Sequence, residues 1–267
     1  MGGCAGVGLY SIGVRGAAIP ELAVWAARHR IPFLHLRGGH RGCAATRQTG
    51  QELDRWRAVA DATAPVRLLT ADLKLHDLIQ AHEQRRCAAQ RELERTADAA
   101  SRLGAGMIRV LAGAAPHDEP IPVPRLPERA MTLLIELHHA SWWTPAGIGR
   151  LEDVAHADPR IRLLADTAQA AAGFAGLSEP AASAIARRVL AMSAVIHLSD
   201  DGSGLSAAGH ALLAGQAQEL LAAGQPLEVA FEWTGAQRTA PTCLSRYRAA
   251  CAWWHALSSG SEDGGAE

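Results

Sequence analysis

Short apolar runs alternate along the chain with longer segments in which apolar residues recur at helical spacing. The runs are continuous rather than alternating, which is typical of parallel strands buried on both faces. Eight runs are predicted to be strands: Val7–Tyr10, Phe33–Leu36, Val66–Thr70, Met107–Leu111, Thr132–Ile135, Ile161–Ala165, Ala194–Ile196 and Leu227–Phe231. Eight strand–helix units of this kind predict a closed (β/α)8 TIM barrel of the α/β class.

The segments between the strands predict helices at Ile19–His29, Gln51–Ala62, Leu78–Leu103, Pro145–Ala155, Pro180–Met192, Ala207–Ala223 and Leu244–Leu257. The crossover between strands four and five, Ala112–Ala130, contains five prolines and is predicted to be irregular. We therefore expect one barrel over residues 1–257. The Gly-, Ser- and acid-rich residues 258–267 are predicted to form a disordered tail.

The length and net charge of the chain limit the classes of protein to which it can belong. The 267 residues suit one barrel, and the formal net charge of −1 gives no argument for binding nucleic acid or an anionic membrane. No apolar stretch approaches the roughly 18–20 residues of a membrane span. No basic segment followed by an apolar one opens the chain, and five scattered cysteines include no C-x-x-C pair. These features predict a cytoplasmic protein with reduced thiols.

Ionisable residues follow four successive predicted strands, and they carry most of the functional information: Glu136, Asp166, His197 and Glu232. In a (β/α)8 barrel these strand ends converge on the face that holds the active site. A single carboxylate there is more often a helix cap or an ion-pair partner. Three carboxylates and an imidazole together favour a site for a hard or borderline divalent cation, which offsets their repulsion and desolvation.

Four segments carry these residues: "LLIELHHAS", "RLLADTAQA", "VIHLSDDG" and "LEVAFEW". They resemble the motifs of strands five to eight in the xylose-isomerase-like barrel family, the sugar phosphate isomerase/epimerase group. The resemblance extends from about Val7 to Leu257. It implies Mn²⁺ or Mg²⁺ as the metal ion, held by Glu136, Asp166, His197 and Glu232. It also implies that the two glutamates exchange protons with an α-hydroxy-carbonyl substrate through an enediolate.

Seven further residues are candidates for substrate binding: His35, Arg37, His138, Gln169, Asp200, Trp142 and Trp233. Arg37 suits bidentate contact with a carboxylate or phosphate, although an exposed loop arginine is an equal alternative. His138 is expected to support the metal or to contact substrate, and a packed strand-end histidine is an equal alternative. Asp200 is expected either to orient the strand-seven histidine or to cap the following turn. Trp142 and Trp233 suggest the wall of a flat or apolar ligand site.

Two departures bear on the substrate. Gln169 and Ser203 stand where ketose epimerases of this family tend to have a histidine and an arginine, so an ordinary free ketose is not the expected substrate. A metal-dependent lyase or dehydratase on the same scaffold is one alternative to an isomerase. A catalytically silent ligand-binding barrel is another. The expected partner is a small molecule rather than nucleic acid or a membrane, and a homodimer is left open.

Overall fold

Eight parallel strands close a barrel in sequence order, which confirms the predicted (β/α)8 fold. The structure is a computed structural model and describes residues 6–80, 82–115, 121–128 and 131–259. The strands are β1 (Val7–Tyr10), β2 (Leu34–Arg37), β3 (Val66–Lys74), β4 (Met107–Ala112), β5 (Thr132–Leu137), β6 (Ile161–Asp166), β7 (Ser193–Asp200) and β8 (Glu228–Trp233). β1 pairs with β8, so no strand of this barrel is left at an edge.

Helices surround the barrel and bury their apolar sides against it. They are α1 (Ile19–Arg28), α2 (Gly50–Asp61), α3 (Leu75–Ile79), α4 (Glu83–Arg102), α5 (Pro145–Ala157), α6 (Thr167–Gly173), α7 (Glu179–Met192), α8 (Ala208–Ala222) and α9 (Ala240–Ser259). In α1, Leu22, Ala23 and Ala26 are buried, a spacing of three to four residues that places them on one face. None of the helices in the described ranges is both long and apolar enough to cross a membrane.

The structure differs from the predicted elements in three places. The single helix predicted over Leu78–Leu103 is two helices, α3 and α4. A short helix, α6, directly follows β6 and begins where the Asp166 carboxylate accepts a hydrogen bond from the Gln169 backbone N–H. Helix α9 continues through Ser259, so the first two residues of the predicted tail are helical. The rest of that tail, 260–267, lies outside the described residues.

The Pro-rich crossover between β4 and β5 is irregular in the parts that the structure describes. Residues 113–115 and 121–128 contain neither helix nor strand. Ile121 is nonetheless buried, and Leu126 packs against the main core. This agrees with the prediction, because proline removes the backbone N–H that a helix needs.

Side-chain alternation along the strands places an apolar layer inside the barrel beneath a polar one. The apolar layer is a separate buried cluster of Leu68, Leu134, Leu164 and Val195. Successive side chains of a strand point to opposite faces, so residues two positions apart share the interior. Two positions after the apolar residues of β5, β6 and β7 come Glu136, Asp166 and His197. The fold thus raises these ionisable groups to the carboxyl end of the barrel, where active sites of this architecture lie.

Candidate metal centre and active site

Three of the four predicted metal ligands come together in the barrel. Asp166, His197 and Glu232 are buried, and each offers one ligand atom within 4.8 Å of the others. Two ligands on opposite sides of an ion at bond lengths of about 2.1–2.4 Å are about 4.2–4.8 Å apart. One divalent ion can therefore reach all three side chains.

Asp166 is fixed at both carboxylate oxygens. One oxygen accepts a hydrogen bond of 2.9 Å from the Gln169 backbone N–H, and the other accepts the hydroxyl of Ser199. Ser199 is held in turn, because its backbone N–H donates to the Thr167 hydroxyl at 3.0 Å. Gln169, a predicted substrate residue, thus contacts the site through its backbone.

Glu136, the fourth predicted ligand, is held by two basic side chains. His138 Nε2 lies 2.6 Å from Glu136 Oε1, and Arg109 Nε lies 2.7 Å from Glu136 Oε2. The second contact is an ion pair without hydrogen-bond geometry, so both of its buried atoms lack a hydrogen-bond partner among the described residues. Glu136 therefore stands beside the three-residue group, with one carboxylate oxygen still able to accept a ligand bond.

A chain of contacts below His197 determines which of its two ring nitrogens carries the proton. Glu228 Oε1 lies 2.6 Å from His35 Nε2, and His35 Nδ1 lies 2.9 Å from His197 Nε2. Burial lowers the pKa of His35 to about 4, so this ring is neutral at pH 7. A carboxylate only accepts, so His35 donates from Nε2 and accepts at Nδ1. His197 must then donate from Nε2, which leaves a lone pair on its Nδ1.

That lone pair faces another acceptor. His197 Nδ1 lies 2.9 Å from Glu232 Oε2. Two lone pairs at this distance repel unless a proton or a cation lies between or beside them. A positive charge at the point where the ligand atoms converge would therefore remove this repulsion.

The pKa values of the carboxylates in the site reflect the same repulsion between negative groups. Burial, followed by the negative charges of Glu232 and Glu136, raises the pKa of Asp166 to about 7. Burial and the charge of Glu136 likewise raise the pKa of Glu232. Burial also opposes ionisation of Glu136, but the guanidinium of Arg109 outweighs it and lowers the pKa of that carboxyl.

These observations fit a divalent metal ion. The three gathered side chains supply two carboxylate oxygens and one imidazole nitrogen, a donor set suited to Mg²⁺, Mn²⁺ or Zn²⁺. The buried Oε2 of Glu136, which lacks a hydrogen bond among the described residues, is available beside them. A cation also compensates the buried negative charge that raises the pKa of Asp166 and Glu232.

A cavity of about 320 Å³ opens beside the gathered ligands. Small-molecule sites span roughly 300–1,000 Å³, so this one suits a small substrate. Its lining includes Tyr10, Arg37, Arg109, His138 and Glu232. The predicted substrate residues Arg37 and His138 therefore face the same space as the metal centre.

Three predicted substrate residues have other roles. His35 is 0% exposed with both ring nitrogens engaged, so its expected contact with substrate is corrected to support of the metal centre from below. Trp142 is 1% exposed and donates to the Gly113 carbonyl, and Trp233 is 4% exposed and donates to the Gln237 carbonyl. Both indoles pack in the core, and this corrects the predicted aromatic wall.

Asp200 caps a turn, which was one of its two expected roles. Its Oδ1 accepts hydrogen bonds from the backbone N–H groups of Gly202, at 2.7 Å, and Gly204, at 3.0 Å. The φ angles of these glycines, 116° and 87°, are in the region that glycine adopts without strain. Asp200 therefore shapes the loop after β7.

Sequence reasoning missed the roles of Arg109, Tyr10, Ser199 and Glu228. Arg109 carries the clearest signal, since it is a charged residue inside the otherwise apolar strand "MIRVLA". It is 7% exposed, and its guanidinium donates to the Tyr10 hydroxyl at 3.1 Å. A buried arginine on the strand beside a predicted ligand strand is a signal for a charge partner in the site.

Comparison with known proteins gives a likeness of fold. No family model matches the sequence, and no curated protein matches it. The apo crystal structure of the 3-keto-D-glucoside 4-epimerase YcjR from E. coli is 15% identical with a TM-score of 0.63, covering 94% of this chain and 98% of that one.

Two further solved structures contain metals. A xylose isomerase-like TIM barrel protein from Mycobacterium smegmatis in complex with magnesium is 13% identical, with a TM-score of 0.63 and coverage of 96% of this chain and 99% of that one. The IolI protein with a zinc atom is 10% identical, with a TM-score of 0.64 and coverage of 95% and 98%. The chain has the fold of the xylose isomerase-like TIM barrel proteins.

Proposed function

We propose that the protein is a divalent-metal-dependent isomerase or epimerase that acts on a small α-hydroxy-carbonyl compound through an enediolate. The observation that carries this proposal is the convergence of Asp166, His197 and Glu232, with the Nδ1 lone pair of the histidine facing a carboxylate at 2.9 Å. The solved structures of similar fold include sugar epimerases, which supports the reaction class.

Asp166, His197 and Glu232 would hold the ion, and Glu136 Oε2 would complete its protein ligands after release from the ion pair with Arg109. A divalent ion in this place supplies Lewis acidity, which polarises a carbonyl and acidifies the neighbouring C–H. Mn²⁺ or Mg²⁺ suits the oxygen-rich donor set, and Zn²⁺ suits the imidazole.

The two glutamates are the groups that we propose move protons. Without metal, burial and the charge of Glu136 raise the pKa of Glu232. A bound cation would favour the carboxylate form of Glu232, which is the form that accepts a proton. Glu136 is its proposed counterpart. The ion pair with Arg109 favours the ionised form of Glu136, so Arg109 has to leave this carboxylate before Glu136 can carry a proton.

A substrate oxygen that gains negative charge offers Arg109 another partner. The guanidinium is also anchored by the Tyr10 hydroxyl, which accepts from Arg109 Nη2 at 3.1 Å and lies 3.2 Å from the Thr70 hydroxyl. Burial raises the pKa of Tyr10 to about 12, so the phenol keeps its proton at neutral pH. Arg109 is thus a preorganised positive charge of the kind that stabilises a developing oxyanion.

The direct test is exchange of carbon-bound hydrogen with solvent. The full-length protein with Mn²⁺ is incubated in D₂O with fructose, tagatose, psicose, xylulose, hydroxypyruvate and dihydroxyacetone, and the products are followed by NMR. Deuterium at the carbon beside the carbonyl of at least one compound, together with an isomer or epimer, is the expected result, and the free ketoses, which are not the expected substrates, should react well below an ordinary enzyme rate. Loss of water without an isomer would indicate a lyase instead, and no exchange with any α-hydroxy-carbonyl compound would refute the proposed reaction.

A further inference from the structure

We infer that the substrate of this site carries an anionic group, a carboxylate or a phosphate, and that Arg37, Arg41 and Lys74 bind it at the outer end of the cavity. The inference rests on the proposed function, because the anion is part of the molecule that reacts at the metal centre. Arginine forks and lysine ammonium groups are the side chains that proteins use for carboxylates and phosphates.

The cavity carries more positive than negative charge. Arg37, Arg41, Lys74 and Arg109 line it, together with the carboxylates of Asp72 and Glu232. Asp72 is already paired with the side chain of His40, whose backbone N–H also donates to it at 2.7 Å. Among the described residues, no carboxylate lies within ion-pair distance of Arg37, Arg41 or Lys74.

The positive potential extends around the rim. Burial and then the charges of Arg15 and Arg37 lower the pKa of Arg238, which lies after β8. Adjacent cations lower each other's pKa because each disfavours the charged form of the next. An anion bound among them relieves this repulsion, so the rim attracts a negatively charged ligand.

The chain is folded to aim these cations at one space. After β2 the loop turns back on Arg37, whose carbonyl accepts a hydrogen bond of 2.9 Å from the Cys43 backbone N–H. A Cβ atom on Gly42 would lie 1.8 Å from that carbonyl oxygen, so only glycine permits the turn. This turn brings Arg41 to the cavity that Arg37 enters.

Lys74 reaches the cavity through an irregularity in β3. The register with β4 shifts between the pairs Thr70–Arg109 and Lys74–Leu111, so extra residues of β3 bulge out of the ladder. A bulge re-aims the side chains that follow it and is common beside active sites. Here it places the only lysine of the chain at the rim.

Three probes share a hydroxymethyl ketone core, HOCH2–C=O, and differ in the group on the other side of the carbonyl: dihydroxyacetone has a neutral hydroxymethyl group, hydroxypyruvate has a carboxylate, and dihydroxyacetone phosphate has a phosphate ester. Binding of each to the full-length, Mn²⁺-loaded protein is measured by calorimetry. We expect at least one anionic probe to bind about tenfold or more tightly than the neutral one, since each charge-assisted contact contributes at least that factor. The better of the two anionic probes identifies the source of the negative charge.

Variants of the three cavity cations test whether these side chains cause the preference for anionic probes. Arg37→Gln, Arg41→Gln and Lys74→Gln each remove one charge from the cavity, and each is expected to reduce the anion preference. Arg28→Gln is the matched control, because this exposed arginine ends α1 at the opposite face of the barrel. Melting temperatures verify that each variant is folded, and the exposed Lys74 gives a second variant if the Arg37 change disturbs the loop.

Failure of this inference differs from failure of the proposed reaction. Equal binding of all three probes, or a preference that survives all three cavity variants, would overturn the anion site even if deuterium exchange on dihydroxyacetone shows an active isomerase. Binding of an anionic probe that depends on Arg37 would support the anion site even if no probe exchanges hydrogen, in which case the proposed reaction alone falls.

Discussion

His35 Nδ1 lies 2.9 Å from His197 Nε2, and this contact is part of a chain that links the candidate metal site to the opposite end of the barrel. Below His35, Glu228 begins β8 and is held by Arg67 at 2.7 Å. A chain of polar contacts from Arg67 through Glu228 and His35 to His197 therefore crosses the apolar interior of the barrel and reaches the candidate site. Its effect is to keep the Nδ1 lone pair of His197 turned toward the ligands, a function that partners of metal-bound histidines commonly serve.

The first prediction concerns His35. Replacement by leucine removes the acceptor for His197 Nε2 and should weaken Mn²⁺ binding about 10–100-fold, the usual effect of losing such a partner. Replacement by asparagine, whose oxygen can take the place of Nδ1, should cost less. Mn²⁺ affinity is measured by electron paramagnetic resonance titration. Equal affinity in the wild type and the leucine variant would show that the contact does not orient the ligand.

Two variants of Glu228 test the same chain of contacts. Glu228→Gln keeps an oxygen that accepts from His35 Nε2, whereas Glu228→Ala removes it. The alanine variant should lose more Mn²⁺ affinity than the glutamine variant, because the amide oxygen of glutamine can still accept from His35 Nε2 and alanine offers no partner. Similar losses in both variants would point to the charge of Glu228 rather than its hydrogen bond.

The second prediction concerns Arg109. Arg109→Met should lower the free energy of unfolding of the metal-free protein by about 3–5 kcal/mol, the cost of leaving a buried ion-pair partner uncompensated. It should also tighten metal binding, since Glu136 loses its competing cation. Arg188→Met is the control, because its pair with Glu152 is at the surface and is expected to contribute no more than about 1 kcal/mol. Denaturant unfolding with and without Mn²⁺ measures both effects, and an Arg109 variant as stable as the control would contradict the assignment.

The third prediction concerns pH. The pKa of Asp166 is raised to about 7, so protons compete with the metal below neutral pH. Mn²⁺ affinity should rise with pH by about tenfold per pH unit for each proton displaced, and should level off above pH 7. Without metal the sign is reversed: the contribution of Asp166 to stability is complete below its ordinary value of 3.8 and is lost as the pH rises through about 7.

The gain in melting temperature on adding Mn²⁺ separates this effect from other titrations. Burial lowers the pKa of both His35 and His197 to about 4, so their contribution to stability is lost as the pH falls and opposes that of Asp166. These histidines are neutral with and without metal near pH 7, and the gain therefore reports mainly the carboxylates. A gain that does not depend on pH between 5 and 8 would contradict the raised pKa.

The fourth prediction concerns the two glutamates. Glu232→Gln and Glu136→Gln should each reduce deuterium exchange at least 10²–10⁴-fold, the usual contribution of a general acid or base. Glu152→Gln removes a surface carboxylate and is the matched control. Near-normal exchange in either site variant, with Mn²⁺ bound, would refute the paired-glutamate mechanism.

Much of the fold followed from the sequence because strand signals in a parallel barrel are local. Continuous apolar runs located all eight strands, and the proline-rich segment marked the irregular crossover. The bulge in β3 and the break between α3 and α4 had no such signal. Both depend on how neighbouring elements pack, which a pattern of apolar residues does not encode.

The candidate site was predictable where function follows from strand-end position, and was not where it follows from side-chain contacts. The positions of the strand ends in the sequence predicted Asp166, His197 and Glu232. They could not show that Arg109 pairs with Glu136. Trp142 and Trp233 illustrate the converse. Trp233 ends the ligand strand β8 and Trp142 lies shortly after β5, but the burial of both indoles in the core depends on the loops that cover them.

Crystals of the protein grown with Mn²⁺ and measured for anomalous scattering test the proposed metal site. We expect one strong peak at the carboxyl end of the barrel, about 2.0–2.3 Å from a carboxylate oxygen of Asp166, Nδ1 of His197 and a carboxylate oxygen of Glu232, with Glu136 turned from Arg109 toward the ion. The absence of a peak at saturating Mn²⁺, or a peak bound to His197 through Nε2, would contradict this expectation.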